Sequence, residues 1–107
     1  MEIHSTAVLS ELNMKHWRVN FRCRQGEIDI IARDRDYLVF IEVKYRRDEH
    51  EGDPAEAVDA RKQARILRTA RYYMTRYHIS EDMPCRFDVV AVLGSNVRLI
   101  RDAFWCG

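Results

Sequence analysis

Apolar and polar side chains alternate strictly through residues 17–24, where Trp17, Val19, Phe21 and Cys23 interleave with Arg18, Asn20, Arg22 and Arg24. A period of two is the mark of a strand with one buried face and one wet face, here a basic one. Upstream, residues 2–16 place Ile3, Ala7, Val8, Leu9, Leu12 and Met14 at helical spacing, which predicts a short amphipathic helix. Downstream, Gln25-Gly26 punctuates the chain, residues 27–32 read as a second strand, 33–36 as a polar turn and 37–44 as a third strand. Three consecutive strands with short connections predict an antiparallel meander.

A polar loop over 45–53 leads to Asp53-Pro54, a helix start with Glu56 in its first turn, and the helix is expected to run to about Tyr77. At 100° per residue, Ile66, Leu67, Ala70, Tyr73, Met74 and Tyr77 share one broad face, while Arg61, Arg65, Arg68 and Arg76 share another with Tyr72. Residues 80–84 break the helix, and 86–93 and 97–100 read as two strands joined by a hairpin turn at Gly94-Ser95-Asn96. The predicted order is αβββαββ, an α/β fold whose helical crossover permits one parallel pair in a mixed sheet flanked by helices.

A chain of 107 residues fits a single domain, 1–107. The longest apolar runs, 30–32, 38–41 and 89–93, fall far below the roughly 18 residues a membrane helix needs, so no membrane partner is expected. The first residues lack a basic segment followed by an apolar one, and three cysteines without Cys-x-x-Cys spacing point to a reducing, cytoplasmic setting. The four histidines do not stand at zinc-ligand spacing with the cysteines. Net charge is only +1, but residues 54–78 carry six cations against Glu56 and Asp59. Distribution rather than the sum decides whether a polyanion is held.

The informative residues are acids set in apolar strands: Glu27 and Asp29 within Glu-Ile-Asp-Ile-Ile-Ala, and Glu42 and Lys44 within Val-Phe-Ile-Glu-Val-Lys. Residues two apart on a strand point the same way, so each pair is expected to share a face. Pairing through the 33–36 turn sets Asp29 near Glu42, and two facing carboxylates repel unless a cation lies between them. A hard divalent ion such as Mg²⁺ relieves that repulsion, and Lys44 stands one side-chain step beyond to orient or deprotonate a water. The bland alternative is a solvated Glu-x-Lys pair worth under about 1 kcal/mol. Glu27 is either a second ligand or the partner of Arg24 or Lys44. Asp88 is read as bonded to backbone or arginine rather than to metal. Gln63, a polar side chain on the apolar helix face, either reaches the carboxylates or bonds a backbone carbonyl.

Three blocks, Gly26-Glu-Ile-Asp-Ile-Ile-Ala32, Val39-Phe-Ile-Glu-Val-Lys-Tyr-Arg46 and Arg86-Phe-Asp-Val-Val-Ala-Val92, resemble the signatures of the YraN family. These bacterial proteins are related to archaeal Holliday-junction resolvases in the PD-(D/E)xK nuclease superfamily. Gly52-x-Pro54-x-x-Ala57-Val58, Lys62-Gln63 and Asp102-Ala103-Phe104 extend the likeness over nearly the whole chain. The resemblance implies a restriction-endonuclease-like fold and Mg²⁺-dependent (or Mn²⁺-dependent) endonucleolytic hydrolysis of branched or structured DNA, in recombination or repair. Asp29 and Glu42 are then metal ligands, Lys44 the motif lysine and the Val43 carbonyl a further ligand. Glu2 is a ligand from the first helix, in a Glu-x-x-Ser5-x-x-x-Leu9 setting where alanine is usual at Ser5. A two-fold homodimer is implied as well. Arg46, Arg47, Lys62, Arg61 and Arg65 are candidate phosphate contacts. Two other classes stay open: a nucleic-acid-binding protein that keeps the nuclease fold without the activity, and an interaction protein whose acids form salt bridges, in which Asp29 and Glu42 would lie apart.

Overall fold

The computed structural model describes residues 14–46 and 58–104, except the side chains of 15–17. Strands β1 (Lys15–Cys23), β2 (Gly26–Asp34) and β3 (Tyr37–Arg46) are followed by helix α1 (Ala60–Arg76) and strands β4 (Cys85–Leu93) and β5 (Asn96–Ile100). They form one sheet in the order β1-β2-β3-β4-β5. Neighbours are antiparallel except β3 and β4, the parallel pair that α1 joins. The expected meander, crossover helix and closing hairpin are therefore present as a mixed α/β arrangement. The expected helix over 2–16 falls outside the described residues for 2–13, and its last residues, Lys15 and His16, belong instead to β1.

Helix α1 begins at Ala60 rather than at Pro54, because Asp59 is extended (φ −72°, ψ 175°) and its carboxylate accepts from the Lys62 N–H at 2.9 Å. An aspartate cap of this kind satisfies a first-turn donor, so α1 does not run back through Asp59; the expected start at Pro54 lies outside the described residues. At the other end His78 takes a left-handed conformation (φ 55°), and the N–H groups of His78 and Ile79 return to the carbonyls of Thr75 and Met74. This is the paired 5→2 and 6→1 closure of a helix C-terminus, here made by histidine rather than glycine.

The helix seats its Ile66, Thr69 and Ala70 on the sheet, over Phe21, Ile28, Ile31 and Phe40. Gly26 makes the seat close. A Cβ there would stand 2.9 Å from both Arg65 Cγ and Thr69 Oγ1, and its φ of +149° disfavours any side chain. On the opposite face Ile30, Ala32, Val39, Ile41, Val90 and Val92 form a second buried layer.

The expected alternation in β1 breaks at Asn20, which has φ 55°. Val19 and its partner Ile30 join the layer away from the helix, whereas Phe21 and its partner Ile28 join the layer beneath it. In a regular strand Val19 and Phe21 would share a face. Both strands thus reverse at one level, that of Asn20 and Asp29.

Among the described residues one charged side chain is fully buried. Asp88, fully buried in β4, accepts from Arg86 Nε and Nη2 at 2.9 Å and from the Asp102 N–H at 2.9 Å. Arg86 reaches on to Asp34 at 2.9 Å. Burial works against the guanidinium, and the two carboxylates outweigh it, so its pKa is raised. Asp88 is thus held by arginine and backbone, as read from its setting. Replacing Arg86 with Met leaves a buried carboxylate without its cation and is expected to cost about 3–5 kcal/mol in urea unfolding. A loss below about 1 kcal/mol would contradict that role. Gly26→Ala is expected to cost about 1–3 kcal/mol by the same measurement, through strain at positive φ and the displaced helix.

Candidate functional site

Strands β2 and β3 pair from Asp34↔Tyr37 to Ile30↔Ile41, and there the described pairing ends. Beyond that level β2 stays with β1 through Ile28, Glu27 and Gly26, while β3 stays with β4 through Glu42 to Arg46. The sheet opens between its second and third strands, and the first residues on either lip are Asp29 and Glu42. Had the ladder continued they would stand directly opposite, with Ile28 and Val43 as the next pair.

The opening leaves the Val43 N–H without a strand partner, and the Asp29 carboxylate takes it, Oδ2 accepting at 2.8 Å. A hydrogen bond to a carboxylate is stronger than the neutral one it replaces and fixes where the Asp29 side chain lies. A strand residue sends its N–H and C=O to the same edge, so the Val43 carbonyl faces the same opening. Val43 and Tyr45 pack on the layer away from the helix. Alternation therefore turns Glu42 and Lys44 toward the helix side.

The N-terminus of α1 closes the site from above. Lys62, in the first turn, forms an ion pair with Glu42 Oε2. Gln63 donates from Nε2 to the Val58 carbonyl at 2.8 Å, the backbone-carbonyl alternative of its two expected roles. Burial pushes the Glu42 carboxyl above its ordinary value; the Lys62 hydrogen bond opposes the shift, and the Asp29 charge reinforces it. Lys62 thus offsets only part of what burial and Asp29 do to Glu42.

The expected residues separate clearly. Asp29, Glu42 and the Val43 backbone come together at the opening, contrary to an arrangement in which the two acids lie apart, and Lys44 shares the face of Glu42 one step along β3. Glu27 does not join them: it is exposed and pairs with Arg22 at 3.0 Å, because the reversal at Asp29 leaves it on the outer surface. Lys62, expected to contact phosphate, is engaged by Glu42 instead. Arg61 and Arg65 are exposed on α1, and Arg46 ends β3 half-buried. Glu2 and Arg47 lie outside the described residues. The Lys62–Glu42 contact was missed from the sequence, although a lysine in the first turn of a helix, where the dipole disfavours cations, was an available signal.

Among the described residues no group of three or more His, Cys, Asp or Glu could hold a metal ion. The set at the opening is two carboxylates and a carbonyl, all hard oxygen donors. That fits a small divalent cation that keeps several waters, the way Mg²⁺ is commonly held, and not a fully protein-caged ion. Asp29, Glu42 and the Val43 carbonyl would hold it.

Residues 1–92 match the family model described as uncharacterised protein family UPF0102. A UPF0102 protein of Lachnoclostridium phytofermentans is 48% identical over 103 residues, covering 96% of this chain and 87% of the relative. One from Nitrosococcus oceani is 45% identical over 89 residues, covering 79% and 72%, and one from Clostridium botulinum is 48% identical over 91, covering 79% and 74%.

The raised Glu42 pKa has a signed consequence. A carboxyl whose folded pKa lies above its unfolded value costs stability once it ionises, and the cost is complete above the folded pKa. Without divalent ions, Glu42→Gln is expected to be at least as stable as the wild type at neutral pH. Its advantage should shrink as the pH falls through the raised value toward the ordinary glutamate value. Urea unfolding at a series of pH values measures this, and a Glu42→Gln protein less stable at pH 7 than at pH 4, relative to wild type, would contradict it.

Proposed function

We propose that this chain, which belongs to the UPF0102 family, is a divalent-cation-dependent endonuclease that hydrolyses DNA phosphodiester bonds. The observation that carries the reading is the meeting of Asp29 and Glu42 where β2 leaves β3, with Lys44 on the same face one step along the strand. On this reading the fold is the restriction-endonuclease-like one of the PD-(D/E)xK superfamily. Its mixed sheet, parallel at β3 and β4 and crossed by α1, supports that assignment.

A divalent cation held by the two carboxylates supplies positive charge for a phosphate oxygen and acidity for a water. The chain does the rest. Asp29 is preset by the Val43 N–H, so one donor is in place before any ligand arrives. Glu42, half-buried and under-compensated, holds the negative charge that draws the cation in. Lys44 offers an ammonium on the same side, placed to orient the attacking water and to offset charge that develops on the phosphate.

Substrate holding falls to α1. Arg61, Arg65, Arg68 and Arg76 are exposed along one side of the helix, with the exposed Tyr72 among them. The row begins beside Lys62 at the site and runs the length of the helix. Such a row tracks phosphates and carries no base-reading element, which favours recognition of DNA structure or backbone over sequence.

The test is incubation of the protein with branched and linear DNA, with and without Mg²⁺, beside Asp29→Ala, Glu42→Ala and Lys44→Ala. Cleavage is expected only with the divalent ion, and each substitution should lower it at least about a hundredfold, more than typical losses from residues that merely support a ligand. Undiminished cleavage by Glu42→Ala would overturn the assignment. DNA binding with no cleavage under any divalent ion would return the chain to the non-catalytic binding class. Binding should weaken steeply with salt, and Arg65→Ala should flatten the log–log slope by about one.

A further inference from the structure

We infer that Lys62 is an internal counter-ion for the carboxylate site: it occupies Glu42 until a divalent cation displaces it, and the released ammonium then becomes a phosphate contact. The inference rests on the reading of Asp29 and Glu42 as a cation site and adds a coupling to it.

Three observations converge on Lys62. Its ammonium is bound to Glu42 Oε2, the carboxylate a cation would need. It stands in the first turn of α1 next to Arg61, with no acidic residue in that turn, although the helix dipole makes this the least favourable place for cations. Its position is therefore paid for by what it meets across the gap and not by the helix. Finally, its side chain is 42% exposed while that of Glu42 is 14% exposed. The lysine therefore reaches solvent more readily than the glutamate does. The mobile partner of this ion pair is the cation.

The electrostatics follow. Asp29 and Glu42 repel each other, and Lys62 lowers that repulsion with a single charge. An ion carrying two charges compensates the pair more completely, and it repels the ammonium seated on the same carboxylate. Entry of the ion thus costs the Lys62 contact, which weakens cation binding in the free protein. Once displaced, Lys62 stands at the site end of the arginine row, in the first turn of α1. A phosphate arriving there finds the ammonium released by the ion. Cation and DNA then assist each other's binding, because each favours the displaced lysine.

Mn²⁺ binding to the full chain without DNA, followed by electron paramagnetic resonance of the free ion, tests the coupling in wild type, Lys62→Met, Lys62→Gln and Glu42→Gln. Both Lys62 variants are expected to bind Mn²⁺ about tenfold more tightly than wild type, and Glu42→Gln to lose most of its binding. In wild type, saturating Mg²⁺ should speed acylation of Lys62 by an amine-reactive ester, read by peptide mass spectrometry. Equal or weaker Mn²⁺ binding by the Lys62 variants, with binding still dependent on Glu42, overturns the counter-ion role and leaves the site reading standing. No Mn²⁺ binding by any of the proteins overturns both.

Discussion

The parting of β2 from β3 below Ile30↔Ile41 is the constraint on which the rest of this structure depends. A sheet that stayed zipped would bring Asp29 and Glu42 side by side with their backbones sealed, and would leave no place for a ligand. Two features accompany the parting at this level. The reversal at Asn20 and Asp29 turns the first half of β2 so that Ile28 packs beneath α1, while Gly26 lets that helix settle directly on the strand. The Val43 N–H, freed by the parting, is satisfied by the Asp29 carboxylate and not by a main-chain carbonyl. One hydrogen bond therefore both compensates the break in the ladder and fixes a functional side chain.

Among the described residues two groups of buried or half-buried acids stand out, and they are built in opposite ways. Asp34, Arg86 and Asp88 form a closed network in which one guanidinium spans both carboxylates and a backbone N–H completes the coordination of Asp88. Its charge is settled, and it ties β2, β4 and the residues after β5 together. Asp29, Glu42 and Lys62 are arranged with less compensation: a flexible, partly exposed ammonium serves a glutamate that burial and its neighbour destabilise. Networks of the first kind hold a structure; perturbed groups of the second kind, set at an opening, mark sites where ligands bind.

Much of the frame was legible in the chain. Period-two alternation found β1, runs bounded by turn residues found the other four described strands, and the 100° rule found the buried face of α1 from Ile66 and Ala70. Strand-pairing arithmetic alone set Asp29 against Glu42, because a short turn fixes the register of a hairpin. What escaped were departures from regular geometry and contacts distant in sequence. Nothing local in Arg-Val-Asn-Phe announced that Asn20 would adopt a positive φ and send Val19 and Phe21 to opposite faces. The same reversal carried Glu27 out to Arg22 and away from Asp29. The helix start was misplaced because Asp53-Pro54 reads as a start, whereas the extended backbone and capping carboxylate at Asp59 set it at Ala60. The salt bridge from Lys62 to Glu42 spans a crossover, so no periodicity in either segment could disclose it.

Taken together, the UPF0102 chain presents a sheet that opens at a pair of acids, a lysine on the same face, and a helix whose first turn covers the pair and whose length is lined with arginine. The most direct test of the central claim is diffraction from crystals of the protein grown or soaked with Mn²⁺, with data collected at the manganese absorption edge. The account predicts an anomalous peak at the mouth of the β2–β3 opening, with oxygens of both Asp29 and Glu42 about 2.2 Å away, as hard oxygen ligands of a small divalent ion require. Saturating Mn²⁺ that leaves that position empty, with the two carboxylates still turned toward each other, would contradict it.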